Sequence, residues 1–91
     1  MRLTLEPGGD LAALVRGADA ESVVAVVRRT SDGLAMAIAR AAIGPLAIER
    51  APGRRVNAVL VEDSALTEDV DAAVRFLESA RSTTGQILDL A

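Results

Sequence analysis

One unbroken apolar run limits the folds open to this chain more than any other feature. Ser22-Val23-Val24-Ala25-Val26-Val27 is rich in β-branched residues, of strand length, and does not alternate apolar with polar, and Arg55-Val56-Asn57-Ala58-Val59-Leu60-Val61 reads as a further strand. A strand with one wet face alternates, whereas one that reads apolar almost throughout is covered on both faces, as in parallel sheets. Parallel neighbours cannot be joined by a tight turn and need a crossover, usually a helix.

The rest of the chain supplies those crossovers. Arg2 to Glu6 alternates and meets Pro7-Gly8-Gly9, a short strand entering a turn. Asp10 is placed to cap a short helix in which Leu11, Leu14 and Val15 share a face, with Gly17 as its stop. Ser31 or Asp32 caps a second helix, where Leu34, Ile38, Ala42 and Leu46 recur every four residues until Gly44-Pro45 predicts a kink or break. Residues 46–50 read as the end of that helix; the rival is a strand paired with 55–61 across Ala51-Pro52-Gly53-Arg54, whose centre suits a type II turn. Thr67 is a natural cap for a third helix with Val70, Ala73, Val74 and Leu77 on one face, and a last strand runs from Gln86 to Leu90. The order βαβαβαβ predicts one α/β domain over residues 1–91: a four-stranded, mostly parallel, Rossmann-like half-sheet with helices mainly on one face.

Composition narrows the chemistry. There is no Tyr, Lys, His, Cys or Trp, so the usual proton shuttles and most nucleophiles are missing. Without cysteine there is neither a disulfide framework nor a thiolate metal site, and a cytoplasmic location is expected. The net charge of −3 opposes general attraction to nucleic acid or anionic membrane, and no apolar run approaches the roughly 20 residues of a membrane span.

The candidate sites have ordinary readings. Arg28-Arg29 ends one strand and Arg54-Arg55 begins another, so in a parallel sheet they lie at opposite edges and form no single phosphate-binding surface. Glu62, Asp63, Glu68, Asp69 and Asp71 match no calcium loop; three of them suit the positive end of a helix, and pairing of Glu62 with Arg28 across strand ends is the expected use of the rest. Ser31, Ser64 and Thr67 lack an activating base, and Asn57 reads as a structural residue. No catalytic residue, cofactor or metal is expected.

From about Leu34 onward the chain resembles the C-terminal part of the short-chain dehydrogenases/reductases. Residues 46–59 (Leu46-Ala47-Ile48-Glu49-Arg50-Ala51-Pro52-Gly53-Arg54-Arg55-Val56-Asn57-Ala58-Val59) are similar to that family's long helix and sixth strand, Glu68-Asp69-Val70-Asp71-Ala72-Ala73-Val74-Arg75-Phe76-Leu77-Glu78-Ser79 to the following helix, and Thr84-Gly85-Gln86-Ile87-Leu88-Asp89-Leu90 to the last strand. The family's glycine-rich dinucleotide turn has no counterpart, since Pro7-Gly8-Gly9 is too short a match. Counting back from Glu49 places Asp32 and Met36 where the resemblance would require the catalytic Tyr and Lys, and Glu62-Asp63 stands where the family carries a proline and glycine near the nicotinamide. The resemblance implies the scaffold and not the reaction.

Strands in sequential order with right-handed crossovers would stack every helix on one face and leave the other bare. A bare apolar sheet face calls for a partner. The resemblance implies assembly through the long helix and last strand, so Leu34, Ile38, Ala42, Ile87 and Leu88 are the interface candidates, in a homo-oligomer or against a related dehydrogenase-like subunit. Two other classes stay open: a small-ligand or regulatory domain using the C-terminal strand ends, for which a pocket lined by Arg28, Arg29 and Glu62 would speak, and an accessory subunit of an oxidoreductase completed in trans.

Overall fold

The computed structural model describes residues 1–91 as β1 (Arg2–Leu5), α1 (Leu11–Arg16), β2 (Ser22–Arg28), α2 (Gly33–Arg50), β3 (Arg55–Val61), α3 (Thr67–Ser79) and β4 (Ile87–Leu90). The four strands form one parallel sheet in the order β1-β2-β3-β4. No helix is long and apolar enough to cross a membrane.

The apolar character of β2 and β3 is explained by double coverage. Val23, Ala25 and Val27 of β2 and Val56, Ala58 and Leu60 of β3 point to one face, where they pack with α1 and α2. Val24, Val26, Val59 and Val61 point to the other, where they pack with Val70, Ala73, Val74 and Leu77 of α3. The expected bare face therefore does not exist: two helices lie on one side and the third on the other. Each connection advances one strand in the same direction, so the β3–α3–β4 crossover has the opposite hand to the first two. The physical reason is space, because the 18-residue α2 already fills the face over β3. Polar anchors reinforce the placement. Arg55 donates to the carbonyls of Leu77 (3.3 Å), Glu78 (3.1 Å) and Ala80 (2.7 Å), collecting the C-terminal carbonyls of α3, and Arg2 meets Asp71 at 2.6 Å.

Two local expectations are corrected and one choice is decided. Helix α2 runs unbroken through Pro45, so residues 46–50 are helix and not strand. Pro45 is exposed, and the carbonyl of Ala41, deprived of its N–H partner, lies on the same solvent side. Leu46 and Ala47 are buried against the sheet, which holds the helix together beyond the proline. Thr67 is the first helical residue and not the cap; Leu66 holds that position with no side-chain cap hydrogen bond. Of the two candidate caps of α2, Asp32 takes the role, its Oδ1 accepting from the Ala35 N–H at 3.1 Å.

Asn57 is fully buried within β3. Its Nδ2 donates to the Thr83 carbonyl and its Oδ1 accepts from the Gln86 N–H, both at 3.0 Å. One side chain thus ties the α3–β4 connection to the sheet. Gly85 in that connection has φ +76°, a conformation that suits glycine.

Candidate functional site

At the C-terminal end of the sheet, β1 and β2 send their chains to the face of α1 and α2, while β3 sends its chain to the face of α3. Neighbouring connections that diverge between β2 and β3 open the kind of crevice in which α/β sheets hold ligands. Here ion pairs span the gap. Arg28 stands 3.8 Å from Asp63, Arg29 stands 3.4 Å from Glu62 and 3.9 Å from Asp89, and the Arg29 N–H donates to the Val61 carbonyl at 2.8 Å. Salt bridging across the strand ends thus occurs, with Asp63 rather than Glu62 as the partner of Arg28. These exposed pairs contribute about 0–1 kcal/mol each.

A cleft of about 750 Å³ lies on the α1 and α2 side, between the β1–α1 and β2–α2 connections. Its lining includes the buried Leu11, Val27 and Ala39 and the half-buried Ala12, Met36 and Ala42. Glu6, Asp10 and Asp32 also line it, together with Arg28 and Arg29, while Glu62 does not. The Pro7-Gly8-Gly9 turn closes one end: Gly8 has φ +80°, and the Gly9 N–H donates to the Glu6 carbonyl at 2.9 Å. Asp32 and Met36, at the positions of the family's Tyr and Lys, sit one helical turn apart along the same cleft. A carboxylate and a thioether thus stand where the resemblance would require a phenol and an amine.

The other charged candidates are engaged structurally. Arg54 meets Asp19 at 2.7 Å, and Arg55 caps α3, at the end of the sheet opposite Arg28 and Arg29. Asp71 pairs with Arg2, whereas Glu68 and Asp69 stand in the first turn of α3. No group of three or more acidic, histidine or cysteine side chains converges to hold a metal ion. Two carboxylates are shifted: Asp89 lies below the usual range through its hydrogen bonds to Arg40 (2.7 and 3.3 Å), and Glu49 through its bidentate pair with Arg16 (2.8 and 2.9 Å).

The five interface candidates do not form one surface. Leu34 and Ile38 are 70% and 60% exposed on α2, with Ile38 also at the edge of the cleft, and Ala42 is half-buried within it. Ile87 packs against the core on the α2 side, and Leu88 packs against α3 on the other. Sequence reasoning missed the companions of Leu34 and Ile38, which are the exposed Ala41, Pro45 and Ile48, the last 79% exposed. The spacing 34-38-41-45-48 averages 3.5 residues, so it keeps to one side of a helix, whereas the four-residue row Leu34-Ile38-Ala42-Leu46 winds from solvent into the core. The legible signal was a helix apolar all round.

The protein-family model described as "SDR-like: Short chain dehydrogenase-like protein" matches residues 9–90. No curated protein and no solved structure matches the chain significantly.

Proposed function

Since the chain belongs to the short chain dehydrogenase-like family yet has no Tyr, Lys, His or Cys, we propose that it is a non-catalytic member that works by pairing with a second copy of itself through α2. The observation that carries this reading is the outward stripe Leu34-Ile38-Ala41-Pro45-Ile48, which gives α2 a second apolar side opposite the one it buries against the sheet. An 18-residue helix is about 27 Å long, enough to centre an interface of the standard size of about 1,200–2,000 Å². Ala37, Ala41 and Gly44 keep the outer surface low, so two such helices can approach closely. The charged residues beside the stripe, Arg40 and Glu49, are matched within the chain by Asp89 and Arg16, so pairing strands no lone charge from either.

Lack of catalysis is supported by chemistry on two counts. Hydride transfer to a carbonyl needs a proton donor, and no phenol, amine, imidazole or thiol exists on any side chain. The cleft where Asp32 and Met36 lie is edged by Glu6, Asp10 and Asp32, which form no salt bridge, while Arg28 and Arg29 beside them are already met by Asp63, Glu62 and Asp89, so the remaining charge opposes the pyrophosphate of a dinucleotide.

Sedimentation equilibrium at tens of micromolar tests the pairing. The wild type is expected to be a dimer or a larger even-numbered assembly, and Ile48→Glu a monomer with an unchanged circular dichroism spectrum. A wild-type monomer at that concentration, or reductase turnover of the pure chain with a nicotinamide cofactor, overturns the reading.

A further inference from the structure

We propose that the cleft between α1 and α2 binds a small organic cation carried on an apolar body, of the arylalkylamine class. This goes beyond the pairing of α2, with which it shares only Ile38, at the edge of the cleft. At about 750 Å³ the cleft falls in the range of small-molecule sites, roughly 300–1,000 Å³. Its buried Leu11, Val27 and Ala39 and its half-buried Met36 provide the apolar surface. Its position, at the C-terminal ends of β1 and β2, is where open α/β sheets place ligands.

The sign of the ligand's charge follows from which carboxylates have a cationic partner. Arg28 and Arg29 are met by Asp63, Glu62 and Asp89. Glu6, Asp10 and Asp32 form no salt bridge, and all three line the cleft. Asp10 and Asp32 each commit Oδ1 to a helix cap, to Ala13 and Ala35, and their second oxygens take part in no hydrogen bond. The N-terminus of α2 offsets about half a unit charge, and the six-residue α1 less, against three carboxylates. The cleft therefore stays negative, and an ammonium over an apolar body satisfies both parts of it.

The experiment is a titration of the full chain, followed by the methyl NMR signals of Ala12, Met36 and Ala42, with three probes of like shape: phenylpropylamine, phenylpropanol and phenylpropionate. The amine is expected to move these signals saturably and to bind tightest, with phenylpropionate weakest. The combined variant Glu6→Gln, Asp10→Asn, Asp32→Asn, in which asparagine keeps both caps, is expected to weaken the amine about tenfold and bring it level with the alcohol. Absence of saturable shifts with the amine, or equal or tighter binding of phenylpropionate, overturns the proposal. It also falls if Phe76→Ala moves the same methyl signals without any probe, because the exposed Phe76 of a second copy would then be the occupant. Failure of α2 pairing is read separately from mass, since Ile48→Glu leaves the cleft intact.

Discussion

Replacing Asn57 by alanine removes the side chain that joins β3 to the connection between α3 and β4. The residue is fully buried and uses both ends of its amide, toward the Thr83 carbonyl and the Gln86 N–H, each at 3.0 Å. Each bond contributes about 0.5–1.5 kcal/mol net, and a group left without water or partner costs about 1–3 kcal/mol. Thr83 is half-buried and Gln86 exposed, so water reaches part of the way to both and the lower end applies. The expected loss is about 2–3 kcal/mol, against a total of about 5–14 kcal/mol for a chain of this length. Urea unfolding should show a lower midpoint with an unchanged slope, and Tm should fall by about 10–20 °C. Asn57→Asp adds a pH signature. The carboxylate can still accept from Gln86 but has no hydrogen to give Thr83 unless protonated, so burial and the facing carbonyl raise its folded pKa above the unfolded value of about 3.9. A raised pKa gives stability that is present below the unfolded value and lost as pH rises through the folded one. Compared with wild type at the same pH, this variant should be nearly normal below about pH 4 and progressively weaker toward neutrality. A loss under about 0.5 kcal/mol for the alanine variant, or an aspartate variant that gains on wild type as pH rises, refutes the reasoning.

Arg55→Met keeps an apolar stem but strips three carbonyls at the end of α3 of their shared donor, and should cost about 1–3 kcal/mol with faster amide exchange in the last turn of that helix. Glu49 and Asp89 should titrate by NMR below the ordinary carboxylate range because Arg16 and Arg40 hydrogen-bond their charged forms. Depressed folded values mean that whatever stability these pairs give is present above the unfolded pKa and is lost as pH falls through the folded one. Arg16→Gln and Arg40→Gln should each return the partner toward its ordinary value, and a carboxylate that does not move contradicts the assigned cause.

Much of the scaffold was legible because it rests on local signals. The β2 run declared a strand with two dry faces and residues 55–61 a further strand, Asp10 and Gly17 bracketed α1, and the i, i+3, i+4, i+7 row of α3 marked the side it buries. Gly44-Pro45 misled, because the cost of a proline inside a helix is set by what the flanking turns bury, and Leu46 and Ala47 hold α2 to the sheet beyond it. At the site, salt bridging of Arg28 across the strand ends followed from composition and strand order, although its partner is Asp63 and not Glu62, and the pairing of Arg29 with Glu62 was not foreseen. The cleft is lined by the β1–α1 and β2–α2 connections together with α2, segments that no short-range spacing brings together.

The sequence by itself determined the elements, the parallel sheet and the absence of Tyr, Lys, His and Cys, since each depends on residue type or short-range period. Only the tertiary structure decided that α3 crosses to the other face, that the outward side of α2 carries the 34-38-41-45-48 stripe, and that Glu6, Asp10 and Asp32 share one cleft. These are outcomes of how three helices share the two faces of one sheet, which joins residues far apart in the chain.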